Sequence, residues 1–229
     1  MVYIILMKIF IQARINSSRL PGKVFKKITN ENHSLDLIIF KLLKLFSKKK
    51  IVILTSKNKS DDAIQKYCKK KKINYFRGSL KNVAERFLGA LKVHKCNYFM
   101  RISADSPLLD IRIIKTLVKH IKRNKFDIIT NVCPRTFPKG QSVEIVRSKT
   151  FIDNFKKFKT KHNFEHVTNF FYDFKKSFKI KNIKSDKNFS KISLALDTKK
   201  DLLRIRKILN ISKKIDSSFL EYVSIMKKF

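Results

Sequence analysis

The sequence contains no tryptophan and has little glycine, proline or cysteine. Its 229 residues include four glycines, four prolines and three cysteines. So few glycines and prolines leave no flexible linker between domains. The cysteines are widely spaced and form no C-x-x-C pair, which indicates neither a disulfide framework nor a zinc ribbon. We therefore expect one domain, residues 1–229, in a reducing cytosol.

Long apolar runs are also missing, and a transmembrane helix needs about 20 apolar residues. The opening MVYIILMKIF has no basic leading segment and no small-residue cleavage site, so it is typical of a strand rather than a targeting signal. Met7 could be the true start, because MKIFIQAR already supplies a complete strand. We expect a soluble cytoplasmic protein with no membrane partner.

Negative charge is scarce: 17 acidic residues face 54 basic ones, for a net charge of +37. Such an imbalance points to nucleic acid or an anionic surface. However, lysine supplies 43 of the 54 basic residues, and Lys, Ile, Asn and Phe are the residues that A/T-rich codons favour. We predict no specific nucleic-acid partner and keep a basic RNA-binding protein as the alternative.

Up to residue 130, short apolar runs alternate with amphipathic stretches. Strand-like runs cover residues 8–13, 51–55, 74–76, 97–102 and 127–130. Helical spacing covers residues 35–46, 61–72, 81–93 and 110–123. This order predicts an α/β fold, with a mainly parallel (mixed) sheet flanked by helices. Ser60, ahead of two aspartates, is the expected N-cap of the second helix.

From residue 131 the pattern changes. A loop leads to a strand at 143–147, and two basic aromatic helical stretches then precede a strand near 178–183. KISLALD and two closing helices complete the chain. We interpret residues 131–229 as a C-terminal elaboration of the same domain.

A basic, hydroxyl-rich loop, QARINSSRLPGK, follows the first predicted strand, where open α/β sheets bind ligands. It is neither a P-loop, since Ser17 stands at the first glycine position and Val24 follows the lysine, nor a Rossmann G-x-G-x-x-G. Its donors suit a polyphosphate. An ordinary surface loop is the alternative, although coding bias alone would favour lysine over arginine. The donors are Arg14, Ser17, Ser18, Arg19 and Lys23.

The end of this loop is predicted to turn the chain back. Proline at position 21 presets φ, and Gly22 permits a positive φ. Asn16 can adopt a left-handed conformation more easily than most residues.

Six stretches now suggest a family: IQARINSSRLPGK, VILTS (52–56), FRGSLKNVAERF (76–87), RISADSPLLD (101–110), EHVT (165–168) and LALDTKKDL (194–202). In these stretches and their order the sequence resembles the cytidylyltransferases that activate sugars for surface polysaccharides, particularly the spore-coat polysaccharide type. More distantly it resembles the acylneuraminate and 3-deoxy-manno-octulosonate cytidylyltransferases. Asn16 stands where the family usually has glycine.

The resemblance implies a nucleotide-diphospho-sugar transferase-like (Rossmann-like) fold, with residues 1–130 as the nucleotide-binding half and 131–229 on the sugar side. It implies a Mg²⁺-dependent transfer of CMP from CTP to a sugar or sugar acid, with release of pyrophosphate. Another sugar nucleotidyltransferase on the same fold is the alternative. A homodimer is the default expectation for the assembly.

The same resemblance assigns roles to individual residues. Asp105 and Asp197, each following an apolar run, would coordinate Mg²⁺, which favours one or two carboxylates plus substrate phosphates; without the resemblance, Asp105 could simply start a turn. The catalytic residues would be Arg14, Lys23 and Asp105. The nucleotide contacts would be Ala13, Arg14, Ser17, Ser18, Arg19, Lys23, Thr55, Ser56, Gly78, Ser79 and Arg86. Of these, Thr55 and Ser56 would lie near the cytosine ring; the alternatives are that both merely close a strand and that Arg86 is a solvated helical charge. The sugar contacts would be Arg101, Glu144, Glu165 and His166.

Two other motifs have competing interpretations. HNFEH, residues 162–166, matches the H-x-x-E-H zinc signature, but its end already belongs to the EHVT stretch, and we favour the latter. Residues 154–184 interleave lysines with phenylalanines and could stack single-stranded nucleic acid. At helical spacing these rings are more simply core faces. The rings are Phe155, Phe158, Phe170, Phe171 and Phe174.

Overall fold

The computed structural model describes residues 6–121 and 125–229. The choice between Met1 and Met7 as the true start depends on residues outside these ranges. Residues 122 and 123, the last two of the helix predicted at 110–123, also lie outside them. The strands are β1 (Met7–Gln12), β2 (Ile51–Ser56), β3 (Asn74–Gly78), β4 (Tyr98–Ser103), β5 (Ile128–Thr130), β6 (Glu144–Arg147) and β7 (Ile180–Asn182). The helices are α1 (Ser34–Leu43), α2 (Asp62–Lys71), α3 (Val83–Val93), α4 (Ile111–Lys119), α5 (Ser148–Asn154), α6 (Lys161–Glu165), α7 (Asn169–Asp173), α8 (Lys199–Ser212) and α9 (Phe219–Met226).

The seven strands form one sheet in the order β3-β2-β1-β4-β6-β5-β7. β1 pairs in parallel with β2 and β4. β3 pairs in parallel with β2, and β7 pairs in parallel with β5. β6 runs antiparallel to both β4 and β5. The predicted α/β fold with a mainly parallel, mixed sheet flanked by helices is therefore confirmed. KISLALD contributes only an isolated bridge at Ser193.

Each face of the sheet is covered by its own apolar core, as expected for parallel strands. Ile9 and Ile11 face the core built with α1, α4, α8 and α9. Phe10, between them, faces the opposite core and stacks on Phe99 at a centroid distance of 5.5 Å. Full burial of one such side chain contributes about 1.5–3 kcal/mol. Burial on both faces directs ligand binding to the ends of the strands.

The aromatic stretch near α5–α7 is mostly core. Phe158, Phe170 and Phe171 are buried in the second core, and Phe155 packs partly against it. Phe174 is 55% exposed, so its predicted core position is wrong. Among the described residues, no helix is both long and apolar enough to cross a membrane.

The predicted N-cap at Ser60 is also wrong. Asn58 instead accepts a hydrogen bond from the Ser60 amide at 3.0 Å and starts a 3-10 turn before α2. Asp61 occupies the N-cap position of α2 without capping it. Its carboxylate is engaged elsewhere, at the site described next.

Candidate active site

A cleft of about 190 Å³ lies at the carboxyl ends of β1 and β4. Parallel strands bring their carboxyl ends to one edge of a sheet, so the loop after β1 meets the residues after β4. Asp197 lines the cleft from the second half of the chain. The predicted residues on its walls are Ala13, Arg14, Ser17, Ser18, Arg19, Lys23, Asp105 and Asp197.

The loop after β1 folds around one carbonyl group. The Ile15 carbonyl accepts hydrogen bonds from the amides of Ser17, at 3.0 Å, and Gly22, at 2.9 Å. Gly22 has a φ of +67°, as the sequence predicts for the turn. Asn16 is not among the described residues with a positive φ, so the left-handed conformation considered for it is not adopted. The closed loop keeps its cationic side chains beside the cleft.

Asp61 anchors this loop, a role that the sequence interpretation missed. Its fully buried carboxylate accepts from the Ile15 amide at 2.7 Å and from the Ser56 amide at 3.0 Å. The Ser56 hydroxyl donates to the same carboxylate. Ser56, predicted near the cytosine ring, therefore uses its hydroxyl within the protein. The scarcity of acidic residues in so basic a chain is the sequence signal that could have drawn attention to Asp61.

Lys23 lies between the two predicted metal ligands. Its Nζ is 2.8 Å from Asp105 Oδ2 and 2.8 Å from Asp197 Oδ1. Arg19 Nη2 is 3.2 Å from the other oxygen of Asp197. The Lys23 side chain is only 12% exposed. Two carboxylates thus converge on one cationic group at the floor of the cleft.

The backbone explains why these two aspartates meet. The Leu196 amide donates to the Asp105 carbonyl at 2.8 Å, which docks the chain just before Asp197. Gly140, with a φ of +88°, packs against the same segment, and a Cβ there would lie 2.7 Å from the Leu194 carbonyl carbon. Glycine is required at this close approach.

The donor set fits Mg²⁺ bound together with a nucleotide. Asp105 and Asp197 offer two carboxylates, and Mg²⁺ completes its shell with substrate phosphates and water. Within residues 6–121 and 125–229, no group of three or more His, Cys, Asp or Glu side chains could hold a metal by itself. His162 and His166, of the possible zinc motif, lie with ring centroids 4.6 Å apart, and His162 Nε2 is 2.6 Å from Asn169 Nδ2.

Buried polar groups without partners lie beside the loop. Thr55 is fully buried, and its Oγ1 has no hydrogen-bond partner among the described residues. Arg86 is 1% exposed, and its Nε and Nη1 likewise lack partners in the described part of the chain. Burial lowers the pKa of Arg86 to about 10, despite the nearby Asp61 carboxylate. Buried groups of this kind are rare, and each requires an explanation such as a bound ligand, ion or water molecule.

Gly78 and Ser79 lie outside the cleft, along a neighbouring groove of about 800 Å³. A Cβ at Gly78 would lie 2.8 Å from Arg86 Cγ, so the glycine allows α3 to pack against the end of β3. The Ser79 hydroxyl accepts a hydrogen bond from the Asn82 amide at 3.0 Å. Both residues therefore support Arg86 and α3 in this structure.

Arg101 and Glu144, predicted to face the sugar, form an ion pair with each other. Glu144 is 2% exposed and accepts hydrogen bonds from the hydroxyls of Thr168 and Tyr172, both at 2.6 Å. Burial raises the pKa of Glu144, but the Arg101 charge and these hydrogen bonds outweigh it and hold the pKa below its usual value. The Glu144 carboxylate is thus fully used inside the protein.

Glu165 and His166 are exposed, and neither lines the cleft that contains Asp105 and Asp197. Glu165 lines a groove of about 660 Å³ that also contacts Arg14 and Asn16. Arg14 belongs to both this groove and the cleft. It therefore connects the loop after β1 with the predicted sugar side.

Together, a cationic loop at the end of a parallel strand and two facing carboxylates form a site whose chemistry suits the transfer of a nucleotidyl group. The family model described as Cytidylyltransferase matches residues 8–225, and the chain belongs to this family. The family resemblance seen in the sequence is confirmed.

Two relatives and one solved structure are similar to this chain over most of its length. The chain is 32% identical to an uncharacterized protein of Methanocaldococcus jannaschii, over 83% of this chain and 78% of the relative. It is 26% identical to the spore coat polysaccharide biosynthesis protein SpsF of Bacillus subtilis, over 86% and 83%. A cytidylyltransferase structure from Leptospira borgpetersenii superimposes with a TM-score of 0.89 at 26% identity and covers 98% of this chain and 94% of that one.

Proposed function

We propose that this protein transfers CMP from CTP to a sugar or sugar acid, with Mg²⁺ as cofactor, in the biosynthesis of a surface polysaccharide or glycoconjugate. The observation that carries the proposal is the convergence of Asp105 and Asp197 on Lys23, opposite the loop after β1. Membership of the cytidylyltransferase family supports CTP as the nucleotide. The similarity to SpsF supports a polysaccharide pathway.

The reaction would be an in-line displacement at the α-phosphorus of CTP. A hydroxyl oxygen of the acceptor forms a bond to this phosphorus and releases its proton to the solvent, the bond from the phosphorus to the oxygen bridging it to the β-phosphate breaks, and pyrophosphate leaves. Positioning and charge stabilisation supply most of the catalysis in such transfers. Bound by Asp105 and Asp197, Mg²⁺ would act as a Lewis acid on the phosphate oxygens.

The cationic side chains of the loop would hold the triphosphate. Arg14 and Arg19 are exposed at the cleft and can donate from their planar guanidinium groups to phosphate oxygens. Lys23 balances the two carboxylates in the present structure. When the carboxylates bind a divalent cation, the Lys23 ammonium would become available to the triphosphate.

Arg86 and Thr55 would recognise the base. The N–H groups of Arg86 that lack partners can donate to the O2 and N3 atoms of cytosine, both of which are acceptors. In uracil the N3 atom carries a proton and cannot accept. This difference gives a physical basis for preferring CTP over UTP.

The groove beside Arg14 favours an acidic acceptor. Its charged lining residues are Arg14, Lys81, Lys161 and Glu165, so positive groups outnumber the single carboxylate. A sugar acid would bring its own negative charge to this surface, where cationic donors are in excess. A neutral sugar would gain less from the same lining.

A thermal-shift titration tests the proposal without knowledge of the acceptor. CTP, UTP, ATP and GTP are each added with and without Mg²⁺, because a ligand that binds only the native state raises its stability. Inorganic tripolyphosphate is the control for simple charge attraction. We expect the largest shift with CTP and Mg²⁺ together. Equal shifts from all polyanions would overturn the cytidylyltransferase assignment of the site, whereas a preference for another base would favour a different sugar nucleotidyltransferase.

Light scattering during size-exclusion chromatography tests the proposed homodimer. A mass near twice that of the chain, 27.1 kDa, is expected.

A further inference from the structure

The turn around Asp105 accepts a hydrogen bond at every backbone carbonyl group from residue 104 to residue 109. The Ser106 carbonyl accepts from the Leu109 amide at 3.0 Å, within the turn itself. The Asp105 carbonyl accepts from the Leu196 amide at 2.8 Å. The remaining four carbonyls, at 104, 107, 108 and 109, accept from side chains of distant parts of the chain.

Lys41 holds two of these carbonyl groups. Its Nζ donates to the carbonyls of residues 107 and 109, at 2.9 and 3.2 Å, and the side chain is 1% exposed. The ammonium also lies 5.4 Å from the centroid of the Tyr222 ring. Burial lowers the pKa of Lys41 to about 7, which reflects the free energy cost of placing a cation there. An apolar side chain would avoid that cost.

Ser34 and Gln141 donate hydrogen bonds to the carbonyl groups of residues 104 and 108. The Ser34 hydroxyl donates to the Ala104 carbonyl at 2.9 Å, and Gln141 Nε2 donates to the Leu108 carbonyl at 2.8 Å. Both side chains are fully buried. Ser34 and Lys41 are seven residues apart on α1, which places them on one face of the helix. One helix thus holds the turn both before and after Asp105.

We propose that Ser34, Lys41 and Gln141 are positioning residues that fix the turn carrying Asp105, so that its carboxylate meets Asp197 at the distance a shared cation requires. The inference rests on the proposed function, since it assigns these residues to the metal and nucleotide site. Groups that orient a metal ligand typically change metal affinity by 10- to 100-fold when removed. A structural role in the core would leave that affinity unchanged.

Binding of Mn²⁺ in the presence of CTP, followed by electron paramagnetic resonance, tests the inference. Lys41→Met keeps the length and apolar stem of the side chain but removes the donors. We expect its Mn²⁺ affinity to fall at least about 10-fold, with a thermal midpoint within a few degrees of the wild type. Lys41→Arg, which keeps donors for both carbonyls, is expected to retain more of the affinity than Lys41→Met. Lys44→Met is the matched control, because Lys44 is the C-cap residue of the same helix but is exposed and pairs with Asp216.

The outcomes separate this inference from the proposed function. Wild-type protein that binds no Mn²⁺ with CTP, or Asp105→Asn protein that binds it as well as the wild type, would overturn the proposed site itself. A normal wild type together with a folded Lys41→Met variant of unchanged Mn²⁺ affinity would overturn the positioning role. If Lys41→Met fails to fold, Ser34→Ala decides the question, because it removes only one hydrogen bond. An unchanged affinity in that variant overturns the role.

Discussion

The Lys23 ammonium lies 2.8 Å from both Asp105 and Asp197, two aspartates from opposite halves of the chain. A lysine so placed neutralises carboxylates that would otherwise repel each other. It also stands where a divalent cation would bind the same oxygens. At the proposed Mg²⁺ site the ammonium and the metal would compete for one pair of carboxylates, and the charge balance of the cleft would depend on which of them is present.

Replacing Lys23 by methionine is expected to change stability and metal response together. The carboxylates lose their cation, so the free energy of unfolding should fall by about 1 kcal/mol. Mg²⁺ should then stabilise Lys23→Met more than it stabilises the wild type, because no ammonium competes. Thermal melts with and without MgCl₂ measure both effects. Lys26→Met, at an exposed neighbouring lysine, is the control; a Mg²⁺ response no larger than that of the wild type would contradict the competition.

Asp105→Asn and Asp197→Asn are each expected to remove turnover while preserving the fold. An amide binds Mg²⁺ far less well than a carboxylate, so we expect pyrophosphate release from CTP to fall at least about 100-fold. The fold should persist because the backbone of Asp105, not its carboxylate, docks the segment before Asp197. Circular dichroism and a pyrophosphate assay with a panel of sugar acids measure the two properties. Asp153→Asn, on the exposed ion pair of α5, is the control, and wild-type turnover in either site variant would refute the metal assignment.

Arg86→Met is expected to weaken CTP binding without loss of stability. The buried guanidinium has N–H groups that lack partners among the described residues, so its removal relieves a desolvation cost. The thermal midpoint should therefore stay the same or rise. Affinity for CTP should fall by about 10- to 100-fold, the cost of losing a charged hydrogen-bond donor, while affinity for tripolyphosphate should change little.

Isothermal titration calorimetry measures both affinities for Arg86→Met. Thr55→Val provides a matched variant, since valine has nearly the shape of threonine and removes only the hydroxyl. Equal losses for CTP and tripolyphosphate would assign Arg86 to the phosphates instead of the base.

The buried Lys41 predicts a particular pH dependence of stability. Burial lowers its pKa from the ordinary 10.5 to about 7. The nearby charges of Lys44 and Arg112 lower the pKa further, whereas those of Asp110 and Asp216 raise it. Between these two pKa values the unfolded chain binds a proton that the folded protein releases. The Lys41 contribution to the free energy of unfolding therefore rises with pH from about 7 to about 10.

Urea unfolding of the wild type and Lys41→Met across this pH range isolates the effect of Lys41. The free energy of unfolding of the wild type, relative to that of Lys41→Met, should increase steadily with pH. A constant difference would show that Lys41 titrates at the same pH in the folded and unfolded chain.

Local sequence patterns accounted for most of the architecture. The apolar runs predicted the strands that became β1, β2 and β4 to within a few residues, because alternation and helical spacing report burial directly. The positive φ at Gly22 followed from turn chemistry. The prediction for Ser60 was wrong because Asn58, two residues earlier, starts the turn instead. The prediction for Phe174 was wrong because the end of α7 leaves this ring at the surface.

Contacts between distant segments could not be read from local patterns. Nothing in the sequence around Asp61 shows that its carboxylate binds the amides of Ile15 and Ser56. In the same way, Lys41 resembles any other lysine of an amphipathic helix until α1 packs beneath the turn at 107–109.

The sequence by itself determined the α/β order of elements, the cationic loop after β1 and the candidate aspartates. Only the tertiary structure decided that Asp105 and Asp197 both pair with Lys23 and that Glu144 pairs with Arg101. It also decided which buried donors have no hydrogen-bond partner among the described residues. The physical reason is that apolar burial depends on each residue's own side chain and can be read locally. A hydrogen bond or ion pair depends on where a second group, far along the chain, is placed by the packing of the whole sheet.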